Sequence, residues 1–132
     1  TFAEANPQLT IDLQLPKLPL LKIDRELMVQ ALENLLSNAL KYSPHDPRVE
    51  IRAYISRGEI HISVRDWGIG LQQEDKARIF DEYARGSNVA GTPGTGLGLS
   101  IVRQIARLHG GRIDLVDSPA PGATFQISLP RP

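Results

Sequence analysis

The hydrophobic positions change period along the chain, and each change marks an element. Leu9, Ile11, Leu13 and Leu15 alternate with polar residues, the period of two that belongs to a half-buried strand. Pro16 and Pro19 end that run. Asp24 is a good N-cap, and after it Leu27, Ala31, Leu35 and Ala39 recur every fourth position with Met28, Leu32 and Leu36 on the flank. This spacing predicts a long helix over residues 25–42, stopped by Ser43-Pro44. Val49, Ile51, Ala53 and Ile55 alternate, Arg57-Gly58 marks a turn, and Ile60, Ile62, Val64 and Asp66 alternate after it, which reads as a hairpin. Residues 72–80 are polar with Ala77, Ile79 and Phe80 as anchors and predict a short helix. Residues 84–96 are rich in Gly, Ser, Asn, Thr and Pro, the composition of a mobile loop with the character of a lid. Leu97, Ile101, Ile105 and Leu108 share one face of a further helix, which Gly110-Gly111 ends. Ile113 and Leu115, then Phe125, Ile127 and Leu129, read as two last strands around a turn at residues 118–122.

The order is strand, helix, strand, strand, short helix, lid, helix, strand, strand. Two hairpins rule out a wholly parallel sheet. The expected fold class is therefore α+β: a two-layer sandwich whose mixed, mostly antiparallel sheet carries its helices on one face. A length of 132 residues suits one domain, and 41% hydrophobic residues suffice for one core. Fifteen basic and fifteen acidic residues cancel, so charge gives no reason to expect nucleic-acid or anionic-membrane binding. The absence of cysteine excludes disulfides, thiol catalysis and Cys-ligated zinc, and it suits the cytoplasm. No apolar run approaches the ~18 residues of a membrane span. With Thr at position 1 and no leader-like pattern, residues 1–132 are expected to be one domain taken from a longer protein.

Candidate chemistry sits in three places. Gly91, Gly94, Gly96 and Gly98 surround the start of the second long helix, with Thr95 placed as its cap. Free N–H groups at a helix start after a glycine-rich loop bind phosphate; a flexible surface loop before a core helix is the plainer alternative. Asn34 and Asn38 lie four apart on one face of the first long helix, with Lys41 and Tyr42 a turn later. Asparagine is a poor interior helix residue, so the pair is either part of a solvated face or a site for hydrated Mg²⁺, with Lys41 a point charge for phosphate. Asp66-Trp67-Gly68-Ile69-Gly70 follows a strand directly. It is either a tight turn or a carboxylate that accepts from a base amino group, with glycines passing close to a planar ring.

Taken in order, Asn34–Tyr42, Asp66–Gly70, residues 79–85 around Phe80 and Arg85, and Gly94-Thr95-Gly96-Leu97-Gly98 closely resemble the N, G1, F and G2 boxes of the ATP-binding catalytic domain of bacterial sensor histidine kinases. The resemblance runs over residues 24–129 and takes in His109-Gly110-Gly111 and Gly122-Ala123-Thr124-Phe125. Within the wider superfamily of gyrase-type topoisomerases, mismatch-repair ATPases and heat-shock chaperones, it implies a Bergerat-type sandwich with a mobile ATP lid and Mg-ATP as cofactor. Residue by residue, it implies that Asn38 ligates Mg²⁺ and that Asn34 lies near the metal and its waters. Lys41 would contact phosphate, and Tyr42 would pack on adenine unless it is plain core. Asp66 would accept from the adenine amino group, with Gly68 and Gly70 as pocket floor and Thr124 supporting a shared water. Phe80 would anchor the lid hinge, and Arg85 would meet the γ-phosphate unless it is a solvated charge. Gly94, Thr95, Gly96, Leu97 and Gly98 would hold the triphosphate.

The ATP hydrolases of that superfamily place a water-activating glutamate four residues before the metal asparagine. Here that residue is Asn34, and Glu33 points about 100° away around the helix. The resemblance therefore implies transfer of the γ-phosphoryl to a histidine on a separate phospho-acceptor domain of the same parent, and thence to a response regulator receiver domain. His45, His61 and His109 lack the setting of a phospho-acceptor helix. The implied parent is a homodimer, at the inner membrane in many relatives, with this segment a cytoplasmic monomer making no direct membrane or nucleic-acid contact. An ATP-binding regulatory module, a serine-directed kinase and a gyrase-type ATPase are the competing readings.

Overall fold

The computed structural model describes residues 2–15, 22–43, 45, 47–70, 76, 79–81, 98–116 and 121–131. Its elements are α1 (Phe2–Ala5), β1 (Thr10–Gln14), α2 (Arg25–Tyr42), β2 (Arg48–Ser56), β3 (Glu59–Asp66), α3 (Gly98–Leu108), β4 (Arg112–Val116) and β5 (Thr124–Pro130). Most of the expected short helix at 72–80 and most of the expected lid fall outside the described residues.

The five strands form one sheet in the order β1-β2-β3-β5-β4. Two-residue connection at Arg57-Gly58, both at positive φ, folds β2 back on β3. β3 pairs antiparallel with β5, and β5 with β4. β1 joins the edge in parallel with β2, setting Leu13 opposite Ile51. The sheet is thus mixed and mostly antiparallel, as the hairpins require.

Alternation decides which side chains face the helices. Val49, Ile51, Val64, Ile113, Phe125, Ile127 and Leu129 are buried with Met28, Ala31, Leu35 and Ala39 of α2 and Leu99, Val102, Ile105 and Ala106 of α3 in one core. α2 and α3 therefore cover a single face. The start of α2 matches its sequence signal: the Asp24 side chain accepts from the Leu27 N–H at 3.0 Å. The opposite face is polar, with Tyr54 stacked on His61 and His61 Nδ1 2.9 Å from Ser128 Oγ. The strand pattern of β1 fades outward. Leu9 is in the core, but Leu13 is 61% exposed, because β1 is an edge strand whose far end projects beyond the core cluster.

Phe125 is among the largest fully buried side chains and packs edge-on against Phe80 at 6.0 Å between ring centroids. Phe125→Ala is expected to lower unfolding free energy by about 3–5 kcal/mol in urea titration, because truncating a buried aromatic leaves a cavity.

Candidate functional site

The site is built where β3 ends. Asp66 is the last residue of β3 and is only 3% exposed. Its Oδ1 accepts from the backbone N–H of Gly68 at 3.0 Å and of Ala123 at 3.2 Å. Its own N–H donates to the Ala123 carbonyl at 2.9 Å. Both of these N–H groups converge on Oδ1 rather than Oδ2. Burial pushes the Asp66 carboxyl above the usual carboxylate range, opposed by the two backbone N–H groups. The carboxylate is thus oriented by the protein yet poorly solvated, and it can accept one further donor.

Two glycines allow this arrangement. A Cβ on Gly68 would collide with the Tyr42 carbonyl, and the Ile69 N–H donates to that same oxygen at 2.9 Å. The Asp66–Gly70 turn is therefore seated on the C-terminal end of α2. Gly122 has φ +103°, and a Cβ there would strike the Asp66 carbonyl. The turn before β5 closes on Asp66 from the other side. Gly70 lies against Gly122 as well.

Along α2, Asn34, Asn38 and Lys41 approach the same end, with Lys41 exposed and the two asparagines half-buried. Asn34 Nδ2 is buried with no hydrogen-bond partner, an orphaned amide that fits a site meant to hold a ligand or water. Glu33 is exposed, as the helix geometry requires. No group of three or more His, Cys, Asp or Glu among the described residues could form an all-protein metal cage. The donor set instead suits Mg²⁺ held by an amide oxygen, waters and a ligand's phosphates. Tyr42 is 6% exposed and part of the packed interior. Gly98 opens α3 with nothing within 4 Å of its Cβ direction. Arg85, Gly94, Thr95, Gly96 and Leu97 lie outside the described residues.

Thr124 is the first residue of β5. It pairs with Arg65, so its side chain shares the polar face with Arg65 while Asp66 and Phe125 point the other way. Its hydroxyl is buried without a partner there. The contact with Asp66 comes from the backbone of Ala123, which no side-chain motif reports.

Three further features escaped the sequence pattern. Phe80, packed against the core with Ile79, is followed by Asp81, whose carboxylate lies 3.5 Å from Arg103 of α3. Two guanidinium groups lie over the Trp67 ring, Arg48 at 4.6 Å and Arg65 at 4.5 Å from its centre. Arg48 is itself held by Asp12 of β1 at 2.8 Å. Only the run of Arg and Trp at strand ends hinted at this stack.

Residues 23–132 match the family described as Histidine kinase-, DNA gyrase B-, and HSP90-like ATPase. The sensor-like histidine kinase SenX3 of Mycolicibacterium smegmatis is 39% identical over 97% of this chain and 34% of its own length. The sensor protein KdpD of Escherichia coli is 39% identical over 92% of this chain and 14% of its own length. The chain thus spans at most about a third of these two relatives. Among solved structures, the mycobacterial sensor histidine kinase MprB superposes with a TM-score of 0.84 at 31% identity, covering 99% of this chain and 90% of that one. Full-length ShkA in complex with AMPPNP superposes at 0.81 with 28% identity, covering 98% of this chain and 28% of that one.

Asp66→Asn keeps a carbonyl oxygen for the Gly68 and Ala123 N–H groups and removes the buried charge. A raised folded pKa means the folded state holds its proton longer than the unfolded state, so the parent loses stability as pH rises from about 4 through the folded value. The unfolding free energy of Asp66→Asn minus that of the parent is expected to grow across that window and then level off, read by denaturant titration at a series of pH values.

Proposed function

We propose that this chain, which belongs to the Histidine kinase-, DNA gyrase B-, and HSP90-like ATPase family, is the Mg-ATP-binding catalytic domain of a sensor histidine kinase and passes the γ-phosphoryl group to a histidine on a separate phospho-acceptor domain. The observation that carries this reading is Asp66. One oxygen, Oδ1, is engaged by two backbone N–H groups in a desolvated setting, which leaves Oδ2 as the atom to accept a purine's exocyclic amino group. A hydrogen bond to a charged acceptor contributes about 1.5–3 kcal/mol, enough to select adenine over a base that presents a carbonyl there. The AMPPNP bound by ShkA, a relative in structure, supports the nucleotide assignment.

Around that base, Tyr42 packs from the end of α2, and Gly68 and Gly70 line the turn below. Asn38 offers an amide oxygen to Mg²⁺, and Asn34 offers its unpaired amide to the ion's waters. Held there by Asn38 and waters, Mg²⁺ would supply neutralising charge to the phosphates. Lys41 adds a mobile cation from the last turn of α2. Gly98, at the start of α3, presents N–H groups with the positive end of the helix dipole, and Gly94, Thr95, Gly96 and Leu97 complete the phosphate cradle ahead of it. Arg85 supplies charge at the γ-phosphate, and Phe80 anchors the segment that bears it. Catalysis then consists of positioning and charge stabilisation. With Asn34 where a hydrolase would need a base, and Glu33 turned to solvent, water is left unactivated and the imidazole of the acceptor domain is the nucleophile. The partners are that acceptor domain and a response regulator receiver domain, in a homodimeric parent with this domain in the cytoplasm. No described helix is long and apolar enough to cross a membrane.

Mixing the chain with a purified acceptor-helix domain and γ-labelled ATP is expected to give an acid-labile, base-stable phosphoprotein. An acid-stable product, or steady phosphate release without labelling, would replace this reading with a serine kinase or an ATPase. Asp66→Asn is expected to weaken Mg-ATP binding by about ten- to a hundredfold in calorimetry, the equivalent of one lost charge-assisted hydrogen bond. Asn38→Ala is expected to leave nucleotide binding nearly indifferent to added magnesium.

A further inference from the structure

α2 and α3 are also joined at the ends remote from Asp66. His109 follows the last residue of α3. Its backbone N–H donates to the Ile105 and Ala106 carbonyls at 3.3 and 3.1 Å. Its ring Nδ1 lies 2.8 Å from the Ile105 carbonyl oxygen. The backbone N–H of Asp24 donates to its Nε2 at 2.9 Å, across 85 residues of sequence. Together these contacts fix the tautomer. A carbonyl oxygen can only accept and an amide N–H can only donate, so Nδ1 carries the proton and Nε2 is the bare acceptor.

Asp24 is the N-cap of α2, its side chain accepting from Leu27 N–H and its carbonyl from Met28 N–H. The imidazole therefore grips the residue that starts the helix bearing Asn34, Asn38 and Lys41. The ring is itself held in place by the exit of α3. Gly111 N–H donates to the Ala106 carbonyl at 2.8 Å, and a Cβ on Gly111 would strike the Ser128 carbonyl of β5. α3 is thus seated on the sheet at the point where it reaches α2. Sliding or rotating one helix along the other would break the bond from Asp24 to His109.

We propose that His109 is a positioning residue. By bridging the exit of α3 to the Asp24 amide, it sets the register of α2 on α3, and so the spacing between the α2 amide side chains and the α3 N-terminus that share the triphosphate. The functional half of this inference rests on the Mg-ATP site proposed above; the bridge and its tautomer do not.

Nitrogen NMR of the histidine rings tests the bridge alone. The neutral His109 ring is expected to carry its proton on Nδ1 and leave Nε2 bare, and the reverse tautomer would overturn the proposal. Calorimetry tests the function. His109→Gln can place its Oε1 where Nε2 stood, whereas His109→Leu removes the acceptor. His109→Leu is expected to weaken Mg-ATP roughly tenfold, the worth of one hydrogen bond's ordering, while adenosine affinity holds and His109→Gln recovers most of the loss. A prop that acts on stability alone would lower the thermal midpoint of His109→Leu and leave the ratio of Mg-ATP to adenosine affinity unchanged, which would overturn the positioning role. A parent chain that binds neither ligand would refute the nucleotide site and the positioning role together, while the tautomer would still decide the bridge. If His109→Leu fails to fold, His109→Gln decides: a loss of Mg-ATP affinity as large as that of Asn38→Ala would count against the acceptor role.

Discussion

A carboxylate stripped of most of its water is the fixed point of this fold. Asp66 is 3% exposed, and among the described residues its carboxylate accepts from the backbone N–H groups of Gly68 and Ala123 rather than from a cation. Such a group survives because its surroundings are rigid enough to keep two dipoles aimed at it. The turn after β3 is locked on the end of α2, and the turn before β5 is locked on the Asp66 carbonyl. Three elements distant in sequence therefore converge on one side chain. Its remaining oxygen is oriented before any ligand arrives, which spares a ligand the cost of ordering it.

The helices divide the remaining work. In the proposed site, α2 supplies side chains and α3 supplies a helix start. The segment between Phe80 and α3 begins beside α3, since Asp81 meets Arg103. That ion pair is 3.5 Å long with Asp81 57% exposed, the kind that contributes about 0–1 kcal/mol. The buried edge-on contact of Phe80 with Phe125, with Ile79 in the core, is the larger anchor. Removal of the ion pair alone would leave that anchor in place.

Periodicity made most of this fold legible. The run from Leu27 to Ala39 placed α2 at its observed bounds, because an amphipathic stripe, an Asp cap and a following Ser-Pro all agree. The hairpins were equally plain, since alternation and Arg57-Gly58 point the same way. What sequence could not show is pairing between distant strands: nothing in Leu9 to Leu15 says that β1 lies parallel to β2. The order of residue types singled out Asn34, Asn38, Asp66 and Gly68 as candidates. Thr124 of β5 stands one step from Ala123, and a single step in a strand changes the face. The role of Ala123 was invisible because a backbone N–H has no letter of its own.

Trp67 is the single tryptophan of the chain. Its neighbour in sequence is the buried carboxylate, and the guanidinium groups of Arg48, at the start of β2, and Arg65, near the end of β3, lie over its ring. Indole emission responds to nearby charge and to water, so the polypeptide carries its own optical reporter at the rim of the proposed base pocket. Changes in that rim can be followed by intrinsic fluorescence without any label, and no second indole dilutes the signal.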